Sequence, residues 1–198
     1  MSYREADMKN WSKKKKTAVT VAGILGIVLA AVLVYLVWSY FQKPLVSMKY
    51  HKGSEKNTIV VDMKVSKIRK NFQAASFIVD FDEEAMTLEK LNQGTIKIKD
   101  SGTKKTKLPS WECDVDISNK TGKVSTMYLD MSAGNAPFIQ RKTSGILYQM
   151  VFKVNNPDME KQKIKIKIEQ ATFASVKEEK SLSMKKKNIR TRGLKIKL

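Results

Sequence analysis

The residues of this chain that could do chemistry are few, and their spacing matches no reactive site. Four acids lie close together, at Asp80, Asp82, Glu83 and Glu84. Carboxylates grouped in this way can bind a hard cation, but this spacing is not that of a calcium loop and is typical of a turn. The chain also has one cysteine and one histidine, which make neither a metal set nor a nucleophile with its base. We therefore expect no enzyme activity, no metal site and no cofactor.

The elements that must position any functional residue begin with an uncharged apolar stretch from Thr17 to Phe41. About 20 apolar residues in a helix cross the roughly 30 Å hydrocarbon core of a bilayer. Four lysines, Lys13 to Lys16, come directly before it, and a short basic flank favours the cytoplasmic side. A cleaved signal peptide has a shorter apolar region and ends at small residues, whereas this stretch ends on Trp38, Tyr40 and Phe41. The sequence predicts a single-pass plasma-membrane anchor with a cytoplasmic N-terminus.

Small residues recur every four positions along this helix. They are Ala18, Ala22, Gly26 and Ala30. Such a stripe lets a second helix approach closely, which predicts self-association through the helix. The alternative is that alanine and glycine are simply common in helices of this kind.

The length of the chain leaves room for one domain beyond the helix. The chain has 198 residues, and the part after the helix has the size of one ordinary domain with its own core. We expect a cytoplasmic basic tail over 1–16, a transmembrane helix over 17–41 and an extracytoplasmic domain over 42–198. A single cysteine, Cys113, cannot form a disulfide within the chain, so the core alone must stabilise the fold.

Positive charge is concentrated in the predicted extracytoplasmic domain. Of 38 basic and 19 acidic residues, six basic and two acidic ones precede the helix, which leaves 32 against 17 and a net charge of +15. Lys185–Lys187, Arg190 and Arg192 add to it near the C-terminus. Such a field attracts polyanions, and outside a cell these are anionic headgroups or acidic wall polymers rather than nucleic acid. The alternative is a lysine-rich wet face that serves solubility alone.

Alternation with a period of two residues predicts strands in this domain. It is clearest in Lys163 to Ile168 and in Leu194 to Leu198, and Ile96 and Ile98 alternate with lysines in the same way. Further runs of β-forming residues cover Thr58–Val65, Phe72–Phe81, Val124–Leu129 and Ile146–Val154. A helical turn is predicted only over Glu83 to Leu91, with Asp82 as its N-cap. Short strands separated by polar turns predict an all-β sandwich.

The order of these segments resembles the cohesin domains, a family of jelly-roll β-sandwiches with about nine strands. The segments that carry the resemblance are Phe77–Met86, Met127–Gly134, the glycine-led strand Gly145–Val154, Ile164–Ala174 and the closing Gly193–Ile196. The family usually has a proline after its aromatic and aspartate pair, where this chain has Glu83. The resemblance covers about residues 45 to 198.

The resemblance implies recognition of a protein rather than catalysis. Cohesins bind dockerin modules, which carry their own calcium, through one face of the sandwich. Carried over by position, that face includes Ala74, Ser76, Asp130, Ser132 and Gly134. Many cohesins have a polar residue early on the third strand, where this chain has Ala74. The resemblance therefore predicts a dockerin-like partner without requiring a dockerin in the strict sense.

Three functions are consistent with the sequence. The first is a membrane-anchored adhesion or scaffolding module that binds a partner protein, in a setting such as polysaccharide degradation. The second is binding of carbohydrate or an anionic polymer, which for carbohydrate requires exposed aromatic residues in line; the candidates are Trp111, Tyr128 and Tyr148. Tyr148 lies in an apolar run that is typical of a core. The third is a structural subunit of a membrane complex.

Overall fold

The structure, a computed structural model, describes residues 3–99, 106–129, 139–155, 163–175 and 181–197. The chain divides after Gln42 into two compact units. The first contains one helix, α1 (Tyr3–Phe41). Its segment Thr20–Phe41 has a mean hydropathy of 2.7 and none of it is buried, so by length and composition it could cross a membrane or act as a signal sequence.

The second unit consists mainly of strands. In chain order they are β1 (Leu45–Lys52), β2 (Thr58–Ser66), β3 (Ala74–Asp80), β4 (Met86–Gln93), β5 (Ile98–Lys99), β6 (Thr106–Lys107), β7 (Lys123–Leu129), β8 (Gly145–Val154), β9 (Lys163–Ala174), β10 (Leu182–Ser183), β11 (Arg190–Arg192) and β12 (Leu194–Lys197). Of these twelve strands in the described residues, nine have three or more residues. A short helix, α2 (Val115–Thr121), precedes β7.

The strands form two principal sheets. Sheet 1 has the order β11-β1-β2-β8-β4, and sheet 2 has the order β10-β9-β3-β7, with β12 also paired to β9. All neighbours are antiparallel except β1 and β11, which run parallel. The predicted β-sandwich is confirmed, as are the runs of β-forming residues predicted as its inner strands. Strand β1 was not predicted from the sequence, and the strand predicted around Ile96 and Ile98 is only the two residues of β5.

The core lies between the two sheets. Alternate residues of each strand point into it, as in β3, where Ala75, Phe77 and Val79 are buried and their neighbours are half-buried. Tyr148 on β8 is fully buried, and the Thr126 hydroxyl of β7 donates a hydrogen bond of 3.1 Å to its phenol oxygen. This bond joins a strand of sheet 1 to a strand of sheet 2. The prediction that Tyr148 is buried is confirmed.

The predicted helical turn over Glu83 to Leu91 is wrong. Asp82 does cap a tight turn, since its carboxylate accepts a hydrogen bond of 3.1 Å from the Ala85 amide. The chain then continues as β4, with Met86 and Leu88 buried against the core. Strand β4 changes register between Leu88 and Lys90, and this irregularity interrupts its period-two pattern in the sequence. The acidic and basic residues around it then resemble the wet side of a helix.

The actual helix of this unit, α2, is short and capped at both ends. The Asp114 carboxylate accepts a hydrogen bond of 2.8 Å from the Ile117 amide, and Gly122 ends the helix with φ +63°. A side chain at Gly122 would be strained by this φ and would also meet the Phe81 carbonyl oxygen. The Asn119 amide group bonds both the backbone N–H and the C=O of Leu88, at 2.7 and 2.9 Å. Helix α2 therefore provides hydrogen-bond partners for backbone groups on the open edge of β4, which is the outer strand of sheet 1.

Candidate partner-binding site

The outward side of sheet 2, formed by β3, β7 and β9, is the surface on which the sequence places partner-binding residues. Residues Val124 and Thr126 of β7 are buried, so Ser125, Met127 and Leu129 point outward. The register aligns Ala74 with Leu129 on one side and with Ala174 on the other. We call this outward surface of the three strands the β3 face.

One end of the β3 face is apolar. Met127 is 69% exposed and Leu129 is 49% exposed, on the outward side of β7. Their neighbours on β3 are small and half-buried, namely Ala74 and Ser76. Ser76 lies between Met127 and Thr172 in the register. In the described part of this face, two large apolar side chains therefore stand beside a row of small residues.

The other end of the β3 face is charged. The Lys123 Nζ atom lies 2.9 Å from Glu169 Oε2 and donates a hydrogen bond of 3.0 Å to Oε1, and the Lys167 Nζ atom lies 3.6 Å from Asp80 Oδ2. The hydrogen bond to Glu169, followed by its charge, raises the pKa of Lys123. Both ion pairs are exposed, so they contribute little to stability, but they fix alternating charges across the three strands. The β3 face thus changes from apolar to ionic along its length.

The structure describes only part of the predicted site. Ala74 and Ser76 lie together on the β3 face. Asp130, Ser132 and Gly134 lie outside the described residues, and β7 ends beside them at Leu129. The sequence did not point to Met127, Leu129 or Thr172. Residues 124–129 form a run of β-forming residues without a clear wet side, so the outward position of Met127 and Leu129 follows only from the register and burial of β7.

The three aromatic residues named as candidates for carbohydrate binding do not form an exposed line. Trp111 is only 6% exposed, Tyr148 is fully buried and Tyr128 is half-buried. The Trp111 ring lies 4.9 Å from that of Tyr148 and 5.7 Å from that of Tyr128, measured between centroids, with interplanar angles of 46° and 42°. Stacking on a sugar requires an open ring face, whereas these rings pack against one another. These three residues therefore do not meet the requirement for carbohydrate binding.

Cys113 and the candidate metal ligands do not have the surroundings that a reactive site requires. Cys113 is half-buried, and burial, followed by the nearby Asp114 charge and opposed by a hydrogen bond with Ser118, raises the pKa of its thiol. A raised pKa makes a thiol a poor nucleophile at neutral pH. Among the described residues, no group of three or more His, Cys, Asp or Glu side chains is placed to hold a metal ion.

The residues predicted to pack helices are on the surface of α1. Ala18, Ala22 and Ala30 are exposed, and a Cβ atom added at Gly26 would meet nothing within 4 Å. Large apolar side chains around them are also exposed, from Val21 at 49% to Ile27 at 72%. Self-association through this stripe stays a prediction.

Comparison with known proteins identifies the fold of the second unit. A family model for the cohesin domain matches residues 46–190. Comparison with curated protein sequences gives no match. The remaining comparisons are with solved structures, and the three described below have low sequence identity to the chain.

Three solved structures are similar to the chain. The seventh ScaB type I cohesin from Pseudobacteroides cellulosolvens is 16% identical, with a TM-score of 0.56, over 78% of this chain and 91% of that one. The third cohesin of ScaC from Acetivibrio cellulolyticus, solved in complex with the ScaB dockerin, is 16% identical with a TM-score of 0.58, over 78% and 98%. A non-cellulosomal cohesin from the archaeon Archaeoglobus fulgidus is 11% identical with a TM-score of 0.53, over 78% and 90%. At these identities the likeness shows the fold.

Proposed function

Because the chain belongs to the cohesin domain family, whose members are non-catalytic protein-binding modules, we propose that it binds a partner protein through the β3 face and holds that partner at a membrane. The observation that carries the proposal is the exposed pair Met127 and Leu129 beside the small residues of β3. Covering the exposed parts of these two side chains contributes on the order of 2 to 3 kcal/mol from the apolar area removed from water. This is enough to make them the centre of an interface.

The partner that the proposal names is dockerin-like. Cohesins of similar fold have been solved in complex with dockerins, including the third ScaC cohesin and the OlpA cohesin of Clostridium thermocellum. Asp130, Ser132 and Gly134 follow β7 in the sequence, and the proposal includes them in the partner-binding site because the resemblance to cohesins assigns them to it. Relatives also include a cohesin described as non-cellulosomal, so the proposal does not require a cellulosome. It does require a partner that covers an apolar patch.

The anchor in the proposal is α1. Its exposed apolar side chains have a length and composition that suit a bilayer. Residues 1–16 would then lie in the cytoplasm, 17–41 would span the membrane, and 42–198 would face outward, since the basic residues before the helix favour that orientation. The proposed role is attachment of an extracytoplasmic partner to the cell surface.

The test is capture of a partner by the full chain in nanodiscs of neutral lipid. We expect one protein to remain bound at raised salt, which screens exposed charges, and to be released when calcium is chelated, as for a dockerin-like partner. The double variant Met127→Gln and Leu129→Gln should weaken its binding at least about tenfold, which corresponds to about 1.4 kcal/mol.

The matched control is Tyr50→Gln on β1 in sheet 1. Tyr50 is 40% exposed, so this variant also replaces an exposed apolar surface by an amide. Its binding should equal that of the wild type. Equal loss in both variants, or no loss in either, would contradict binding through the β3 face. Binding that is lost at raised salt and does not depend on calcium would instead indicate attachment through charge.

A further inference from the structure

A row of lysines crosses the outward side of β9 and β12, away from the apolar end of the β3 face. Lys163, Lys165 and Lys167 alternate on β9 with the buried Ile164 and Ile166. The register places Lys195 of β12 opposite Lys165. We call Lys163, Lys165, Lys167 and Lys195, whose side chains are exposed, the lysine ladder.

The register of the lysine ladder is electrostatically unfavourable. Residues directly opposite in an antiparallel pair have Cβ atoms about 5 Å apart, and like charges at this distance destabilise the pair. Within the described residues, Lys167 is paired with Asp80, but no ion pair includes Lys163, Lys165 or Lys195. A wet face that served only solubility would not need like charges opposite one another. The ladder therefore maintains unneutralised positive charge at a cost in stability.

A surface cleft adjoins the lysine ladder. It has a volume of about 470 Å³ and is lined by Gly193, by the lysines Lys165, Lys167 and Lys195, and by the apolar residues Ile166, Ile168 and Leu194. A Cβ atom at Gly193 would come within 2.7 Å of the Ile166 carbonyl oxygen, so glycine is needed for the chain to pass this close to β9. This close passage carries Lys195 into position opposite Lys165. The backbone thus brings three lysines, of which Lys167 is paired with Asp80, to one cleft.

The chemistry of the ladder indicates which anion it suits. Lysine offers a compact point charge that binds phosphate without the two-bond geometry by which the planar fork of arginine holds either a carboxylate or a phosphate. The lysines of the ladder are spaced about 6.7 Å apart along β9 because two residues of a strand rise by that distance. Such an array suits a flexible chain with strong, regularly repeated charges better than the carboxylates of a folded acidic surface.

We propose that the lysine ladder is a binding site for a linear phosphodiester polymer, whose successive phosphates lie along β9 and β12. The site is distinct from the partner-binding end of the β3 face. Ala174 of that end and Lys165 are nine positions apart on β9, which is about 30 Å of extended strand. The two surfaces can therefore be occupied together.

The test measures binding of a fluorescent glycerol phosphate oligomer to the full chain in neutral nanodiscs by anisotropy. The triple variant Lys163→Gln, Lys165→Gln and Lys195→Gln should bind at least about tenfold more weakly, and the slope of log K against log salt should become less steep by about 2, since each contact releases counterions. Because like charges are removed, the triple variant should melt at the same temperature as the wild type or higher.

The control removes equal charge elsewhere. The triple variant Lys52→Gln, Lys90→Gln and Lys153→Gln changes three exposed lysines of β1, β4 and β8, and it should retain the affinity and the salt slope. Equal loss in both triple variants would overturn the proposal, because the field of the whole unit would then explain binding. Polyglutamate that binds as tightly as the phosphate oligomer would also overturn it, in favour of an acidic protein surface. Absence of oligomer binding to the wild type would overturn it outright.

Discussion

Tyr148 shows how one polar atom is accommodated between two sheets. Its phenol is fully buried, and the Thr126 hydroxyl donates the hydrogen bond that satisfies its oxygen. Its ring also lies 6.1 Å from that of Phe77 and 4.9 Å from that of Trp111. Burial raises the pKa of Tyr148 well above its ordinary value, although the Thr126 hydrogen bond lowers it. The folded protein therefore keeps this phenol protonated when an exposed tyrosine ionises.

The raised pKa of Tyr148 makes stability depend on pH in the alkaline range. Below a pH of about 10 both states hold the proton and the group has no effect, whereas above it only the unfolded chain releases the proton. The free energy of unfolding should then fall by about 1.4 kcal/mol per pH unit from this group. Tyr148→Phe should remove that fall while costing about 1 kcal/mol at neutral pH through loss of the hydrogen bond.

Near-ultraviolet circular dichroism monitors the thermal melting of the wild type and of Tyr148→Phe at about pH 8 and about pH 11. The quantity compared is the drop in melting temperature between the two pH values. Other ionising groups affect both proteins alike, so only the difference is interpreted. An equal drop in melting temperature in both proteins would contradict this account of Tyr148.

Cys113 should react slowly in the folded protein. Its thiol is half-buried, and burial raises its pKa, so little thiolate is present at neutral pH. We expect alkylation by iodoacetamide to be at least about tenfold slower in the folded chain than in urea, since both access and thiolate fraction increase on unfolding. Mass spectrometry measures the two alkylation rates. Equal rates in the folded chain and in urea would contradict the burial of this side chain.

At the scale of elements, α2 protects the edge of β4 through a single side chain. The Asn119 amide replaces a neighbouring strand by bonding both polar groups of Leu88. Asn119→Ala leaves these two backbone groups without that partner and should reduce the free energy of unfolding by about 1 to 3 kcal/mol. Asn119→Asp keeps the acceptor for the Leu88 N–H but loses the donor, and should have an intermediate stability. Equal stability of all three proteins in thermal melting would contradict the role of Asn119.

The elements that the sequence predicted are those with regular alternation. Lys163 to Ile168 reads as alternating lysine and isoleucine, and the structure extends this strand to Ala174. The helix α2 was missed because Val115, Ile117 and Thr121 favour strands, although Asp114 and Gly122 are the cap signals that mark its ends. Strand β1 was missed because its second half is exposed on both sides, from Lys49 to Lys52, and lacks the alternation of a half-buried strand.

The candidate site was predictable only in part, for a physical reason. The resemblance located β3 and thus Ala74 and Ser76, but exposed apolar residues such as Met127 are recognised only when the register shows which side of a strand they occupy. The aromatic residues illustrate the same limit. Trp111 belongs to no strand, and only the packing of its ring against Tyr148 shows that it fills the core.

At the scale of the whole molecule, the account predicts a fixed orientation in the membrane. In a Cys113→Ser background, a thiol introduced by Lys52→Cys should react with an impermeant maleimide on intact cells, because Lys52 is exposed and follows the proposed span. A thiol introduced by Ser2→Cys should react only after lysis. The reverse pattern would contradict the basic-flank argument, and release of a shorter chain lacking the helix would indicate a cleaved signal peptide.

Hydroxyl-radical footprinting of the captured complex measures whether the β3 face is the partner-binding surface. Met127 is 69% exposed and should oxidise readily in the free chain, while Tyr50, 40% exposed on sheet 1, serves as the internal reference. We expect the partner to suppress oxidation of Met127 and to leave that of Tyr50 unchanged. Oxidation of Met127 at the same rate in the complex and in the free chain would contradict binding through the β3 face.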